Sequence, residues 1–213
     1  MKPTVTTRSP GTITVIAIAG TSGSGKSFTA NSLASALDRP CQQICLDDFY
    51  RDLGHLSIAA RKGRNFDIPS AIDWATFFFV LNRLRAGKPA SCPRYDFGTH
   101  RRHPVYALRD PQPLIIVEGL WLFPTTSLRR LYDLTIFIDC PPEVRLRRRL
   151  QRDSKSRQRK ASDIVNQFET DVRPAESRWV IPQKHLADHI VCSPSNDDLP
   201  ALVKRSIRSK RQH

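Results

Sequence analysis

The sequence predicts an α/β fold, a single parallel β-sheet flanked by helices on both faces. Three observations carry this. Apolar, β-branched runs at residues 13–19, 114–117 and 134–138 have the unbroken hydrophobicity of strands buried on both faces. Segments with apolar residues at helical spacing alternate with them. The chain has 213 residues, 39% hydrophobic and 25% charged, the usage of one globular domain rather than a disordered chain, a collagen-like repeat or a coiled-coil rod.

The elements follow in order. Residues 1–10 are polar, with two prolines, and read as a loose segment. The strand at 13–19 runs into a glycine-rich loop, and Ala30, Leu33, Ala34 and Leu37 then mark a helix over 27–38. A short strand at 43–46 ends at Asp47 and Asp48, and 51–69 is an irregular excursion. Ser70 stands at an N-cap position, with Phe77, Val80, Leu81 and Leu84 on one face and Gly87 as the stop, so a helix is expected over 71–86. Tyr95 and Phe97, then Val105, Tyr106 and Leu108, indicate two short strands or a hairpin within about 90–110. The strands at 114–117 and 134–138 each end at an acid, Glu118 and Asp139. Pro142 and Glu143 open a basic helix with Leu146 and Leu150 as its apolar stripe. Helices at 161–173 and about 175–181, a strand at 189–192 and a terminal helix from near Asp198 complete one domain over 11–203.

The net charge of +14 is concentrated. Residues 145–160 hold nine cations and one anion, and the tail 204–213 holds five cations; the remainder is close to neutral. The first run is rich in Arg, whose planar fork matches phosphate oxygens. No apolar run reaches the roughly 18 residues of a membrane-spanning helix. Five scattered cysteines, without a C-x-x-C pair, read as reduced thiols of a cytoplasmic protein.

Gly20-Thr21-Ser22-Gly23-Ser24-Gly25-Lys26-Ser27 fits G-x-x-x-x-G-K-[ST] between a strand and a helix. Its backbone N–H groups can surround a nucleotide's β-phosphate at a helix N-terminus. Lys26 can reach the β- and γ-phosphates, and the Ser27 hydroxyl can ligate Mg²⁺. The fold is therefore read as the P-loop NTPase type, with Phe28 closing the nucleotide-binding set. No N-K-x-D run for guanine is present, and one domain is small for a motor, which leaves transfer to a small acceptor.

Ligands of open α/β sheets bind beyond the carboxyl ends of the strands. Asp47 stands there as a candidate base for an acceptor hydroxyl, and Glu118 as a candidate acid for Mg²⁺. Asp139, followed by Cys-Pro-Pro, reads more simply as a cap.

Several motifs occur together: Leu46-Asp47-Asp48-Phe49-Tyr50-Arg51, Asn65-Phe66-Asp67-Ile68-Pro69, Arg94-Tyr95-Asp96-Phe97-Gly98-Thr99-His100 and Val117-Glu118-Gly119. Arg145-x-x-x-Arg149-x-x-Arg152-Asp153, Gln167, Pro174 and Pro182-x-Lys184-x-x-Ala187-Asp188 follow. Over residues 13–192 the chain resembles the uridine–cytidine kinases of the phosphoribulokinase/uridine kinase superfamily. The resemblance implies ATP-dependent phosphorylation of the 5′-hydroxyl of uridine or cytidine, with Mg²⁺, by a homo-oligomer, usually a tetramer. It implies Asp47 as general base and Asp67 on the ribose hydroxyls, with Arg149 and Gln167 nearby. Tyr95 and His100 would read the pyrimidine edge and Phe97 would pack on the base, with Tyr50 and Arg152 completing the substrate set. Arg157 and Arg159 would act from a lid at about 150–162.

The sequence departs from that pattern. Ile68 stands in place of a His and Ser70 in place of an acid, while Gln158 and Lys160 replace a Gly and an acid in the lid. Another hydroxyl acceptor, nicotinamide riboside or a phosphopentose, therefore stays open. An RNA-binding role for the basic run and tail is the reading from another class; against it, no aromatic residue is interleaved within 145–160 on which a base could stack.

Overall fold

A computed structural model describes residues 13–156, 160–193 and 198–210; the segment expected to be loose, 1–10, lies outside them. In chain order the elements are β1 (Thr14–Gly20), α1 (Lys26–Ala36), β2 (Cys41–Cys45), α2 (Ile58–Lys62), α3 (Trp74–Arg85), β3 (Ala90–Cys92), β4 (Tyr95–Asp96), β5 (Arg101–Arg102) and β6 (Ala107–Arg109). Then come β7 (Leu114–Gly119), α4 (Thr126–Arg129), β8 (Leu134–Asp139), α5 (Pro142–Ser156), α6 (Ala161–Gln167), α7 (Arg173–Trp179), β9 (His189–Cys192) and α8 (Leu199–Lys210).

Five strands form one parallel sheet in the order β2-β7-β1-β8-β9. Alternate side chains of each central strand enter different cores, because successive residues point to opposite faces. Val15, Ala17, Ile115 and Val117 pack with Phe49, Phe77, Leu81, Trp121 and Phe123 on one face. Ile16, Ile18, Ile116, Ile136 and Ile138 pack with Ala30, Leu33 and Val203 on the other. Both faces are thus dry, which is why these strands read as continuous apolar runs. No helix of the described residues is long and apolar enough to cross a membrane.

Three local expectations are corrected. The α3 cap is Asp73, whose carboxylate accepts from the Thr76 N–H at 3.1 Å; Ser70 sits in a 3₁₀ turn, Pro69–Ala71, ahead of it. The excursion at 51–69 contains α2, capped by Ser57. The apolar stripe expected at Leu146 and Leu150 is not the buried face of α5: Arg145, Arg149 and Asp153 are buried there, and the two leucines are only half-buried. The terminal helix expected from near Asp198 is α8, which runs to Lys210 with Leu199, Leu202, Val203 and Ile207 packed onto the second core.

The region at 90–110 is a hairpin in two nested ladders, β3 with β6 and β4 with β5, joined by the bond from His103 N–H to the Arg94 carbonyl at 2.8 Å. Two arginines tie it to the segments that follow β2. Arg102 donates to the Tyr50 carbonyl (2.7 Å), the Phe49 carbonyl (3.0 Å) and the Asp73 carboxylate (3.1 Å). Arg61, also buried, donates to the carbonyls of Leu53, Leu56 and Thr99.

Candidate active site

The phosphate loop leaves β1, the middle strand of the sheet, and its glycines have steric reasons. A Cβ on Gly20 would lie 2.7 Å from the Ile138 carbonyl oxygen, and one on Gly23 would lie 2.9 Å from that of Arg145. Gly23 and Gly25 also hold φ of 79° and 101°, a region other residues rarely adopt. Lys26 folds back so that its Nζ donates to the Thr21 carbonyl at 3.0 Å. Ser24 is fully buried, and its hydroxyl has no hydrogen-bond partner among the described residues. Phe28, at the start of α1, is 76% exposed.

The neighbouring strand ends supply the acids. Ser27 Oγ donates to Glu118 Oε1 at 2.8 Å, joining the loop to the end of β7. These two hard oxygen donors suit Mg²⁺. Asp47 lies not at the end of a strand but in a 3₁₀ turn, Leu46–Phe49, that follows β2. This turn presses on β7 so closely that a Cβ on Gly119 would come within 2.5 Å of Leu46 Cβ. Burial first, and then the charge of Glu118, push the Asp47 carboxyl up to about 6, against the pull of Lys26 and Arg152. Its neighbour Asp48 accepts from the Tyr95 N–H at 3.2 Å, so the turn that carries Asp47 also anchors the hairpin. Asp139 pairs with Lys184 at 2.6 Å, a structural tie at the end of β8.

Beyond this turn stands an aromatic wall. Tyr50 meets Phe66, Tyr95 and Phe97 with ring centroids 5.6, 5.2 and 6.3 Å apart, and Phe66 stacks on His100 at 4.7 Å. Tyr50 donates its hydroxyl to the Phe66 carbonyl at 3.2 Å. Tyr95 is buried, its hydroxyl lacks a partner among the described residues, and burial pushes that phenol up to about 12. His100 holds φ of 52°, turning the chain at the tip of the hairpin. Asp67, half-buried just after Phe66, is raised by desolvation against the opposing pull of Arg149. An open cavity of about 730 Å³ beside the hairpin, lined by Asp52, Arg61, Arg101, Arg102 and Tyr106 among others, contains none of the candidate residues.

The basic helix closes the site from the other side. Arg149 donates to Ser22 Oγ at 2.6 Å, and Arg148 to the carbonyls of Gly23 and Ser24 at 3.3 and 3.0 Å. Arg152 pairs with the fully buried Asp153 at 2.8 Å. Arg145 is bonded to Glu176, whose other oxygen accepts from the Ser22 N–H at 2.6 Å. Phe168 lies beneath Arg145 and Arg149 at 5.3 and 5.9 Å, with Gln167 half-buried beside it. Arg148 and Arg149 of the basic run are therefore turned towards the phosphate loop. Arg157 and Arg159 lie outside the described residues, between the end of α5 at Ser156 and the start of α6 at Ala161.

Among the described residues the predicted ones fall into three groups: the loop with Glu118, Asp47 with the aromatic wall, and Asp67 with Arg149. Phe66, Glu176 and Phe168 were not singled out as site residues by sequence reasoning. Phe66 had a signal, its place between Asn65 and Asp67. Phe168 and Glu176 had none, because a π-helical turn, Phe168–Val172, shifts the spacing that would align them. The described residues contain no group of His, Cys, Asp and Glu fit to hold a metal by themselves, and all five cysteines are free.

Comparison with known proteins follows the same lines. The model of the Phosphoribulokinase / Uridine kinase family matches residues 15–200. A uridine kinase of Staphylococcus epidermidis is 36% identical over 179 residues, covering 84% of this chain and 86% of that protein. A solved structure from Silicibacter sp. TM1040, named as a candidate fructose transport system kinase, superposes with a TM-score of 0.71 at 22% identity over 87% of this chain and 92% of that one. Phosphoribulokinase from Rhodobacter spheroides has a TM-score of 0.60 at 16% identity, over 85% of this chain and 70% of that one. The two structures, both below 25% identity, speak for the fold alone.

Proposed function

The chain belongs to the phosphoribulokinase/uridine kinase family, and on that premise we propose that it transfers the γ-phosphoryl group of ATP to the 5′-hydroxyl of uridine or cytidine. One observation supports this above the others. A single carboxylate, Asp47, shares its surroundings with Lys26 and Glu118 on the phosphate side and with Tyr50 on the aromatic side. A residue so placed between a phosphate cradle and an aromatic wall suits the base of a phosphoryl transfer to an alcohol.

In this reading the aromatic wall takes the pyrimidine, and Asp67 with Arg149 takes the ribose hydroxyls. Lys26 holds the β- and γ-phosphates. Asp47 accepts the 5′-hydroxyl proton as the alcohol oxygen attacks the γ-phosphorus; the new O–P bond forms, the bond to the bridging oxygen breaks, and ADP leaves. Ser27 and Glu118 would hold Mg²⁺, which when bound neutralises charge on the transferred group. The buried arginines of α5 add positive charge near the loop, where the migrating group needs it.

The test is a panel of hydroxyl acceptors with MgATP, read by ADP release and by mass. Uridine or cytidine is expected to give its 5′-monophosphate. Turnover of nicotinamide riboside or a phosphopentose, with neither pyrimidine nucleoside used, would overturn the acceptor assignment and leave the phosphoryl transfer standing.

A further inference from the structure

The reaction scheme above leaves one buried acid unused, Glu176. Its side chain is 4% exposed and that of its partner Arg145 is 5% exposed. Both carboxylate oxygens are committed, Oε1 to the N–H of Ser22 at 2.6 Å and Oε2 to the guanidinium of Arg145. A buried ion pair by itself is weak grounds for a functional role, since apolar residues of equal volume often replace one without loss. The bond to the loop is the informative part.

The N–H of Ser22 and the C=O of Thr21 belong to the same planar peptide unit. That carbonyl accepts from Lys26 Nζ at 3.0 Å and from the Ser24 N–H at 3.1 Å. One rigid plane is therefore gripped at both ends, by a buried carboxylate on its N–H and by the loop lysine on its carbonyl. Rotation of that plane would release Lys26 and turn the carbonyl oxygen towards the Glu176 carboxylate, which the N–H now faces. Arg149 secures the same residue from the side by donating to Ser22 Oγ at 2.6 Å. Glu176 lies eight residues after Phe168, which packs under the two arginines, and a π-helical turn, Phe168–Val172, precedes it; such turns recur at functional positions.

We infer that Glu176 is a positioning residue that clamps the Thr21–Ser22 peptide, and through its carbonyl Lys26, in the orientation that receives the phosphates of MgATP. The inference rests on the proposal that the loop binds MgATP, and not on which alcohol is phosphorylated.

The experiment compares R145M/E176Q with R145M/E176M. The two are nearly isosteric and differ in whether residue 176 keeps an oxygen to accept the Ser22 N–H. Calorimetric titration with MgATP alone, without any acceptor, gives the dissociation constant, and thermal melts show that both are folded. R145M/E176Q is expected to bind MgATP about 10-fold tighter than R145M/E176M at closely similar melting temperatures, the scale of one hydrogen bond left unmade. Equal affinities would overturn the inference and reduce Glu176 to the counter-charge of Arg145. If the double variants fold poorly, E176Q and E176M made with Arg145 retained repeat the comparison under the same criterion. Failure of the wild-type chain to bind MgATP would overturn the underlying proposal, and the inference with it.

Discussion

Asp47 carries an energetic consequence of its position. Burial and the Glu118 charge raise its carboxyl to about 6, so at neutral pH the fold holds an ionised group that it disfavours. The sign follows from linkage: the folded chain binds this proton more tightly than the unfolded chain does. The cost is absent below the unfolded value near 4 and complete above about 6. Asp47→Asn is therefore expected to stabilise the protein by up to about 3 kcal/mol at pH 7, and to give little gain at pH 4. In the proposed reaction the same change lowers kcat by about 10²–10⁴, and the wild-type rate falls as pH drops through about 6. Thermal melts at the two pH values and a pH–rate profile check these outcomes. The glycine loop was legible in the sequence from its local spacing, and Glu118 from its place at a strand end, whereas Asp47 sits in a turn after β2 that the strand pattern did not foretell. Glu176 was not legible, since its partners Ser22 and Arg145 are 154 and 31 residues away.

Between elements, the contact of α5 with the α6–α7 run sets the arginines in place. The face of α5 made of Arg145, Arg149 and Asp153 is buried against a run whose inward residues include Phe168, Val172 and Glu176. Phe168→Ala leaves a cavity beneath two buried guanidinium groups, and a loss of about 3 kcal/mol or more is expected, measured by urea unfolding. Weakened MgATP binding should accompany it, as Arg145 and Arg149 lose their support. The basic run was readable as anion-handling from its arginine content. Its buried face was not, because Leu146 and Leu150 offered a conventional apolar stripe while the arginines found acids and loop atoms supplied by distant segments. Likewise Ser70 and Asp73 are both acceptable caps by composition. Asp73 also reaches the guanidinium of Arg102, from the hairpin, at 3.1 Å.

For the whole molecule, donor binding and stability are linked, because a ligand that binds the folded chain alone stabilises it. MgATP at about 100 times its dissociation constant should add roughly 2.7 kcal/mol. For a chain of this size that is a rise of about 5–10 °C in melting temperature; no rise would mean that the loop does not take the nucleotide. The sheet itself was legible, since strands dry on both faces leave an unmistakable pattern, as residues 13–19 and 134–138 illustrate. The nested hairpin was legible only in outline, because its anchors, Arg61 from α2 and the outward bonds of its own Arg102, join it to residues far away in the chain.

The strand order has a kinetic consequence. The glycine loop departs from central β1, while the aromatic wall is built from the segment after edge strand β2 and from the hairpin. In the proposed reaction the nucleotide and the alcohol would then be held by different elements, and neither would need to depart before the other arrives. Initial velocities measured while both concentrations are varied should give double-reciprocal lines that intersect; a parallel set would signal a phosphorylated enzyme formed on the way.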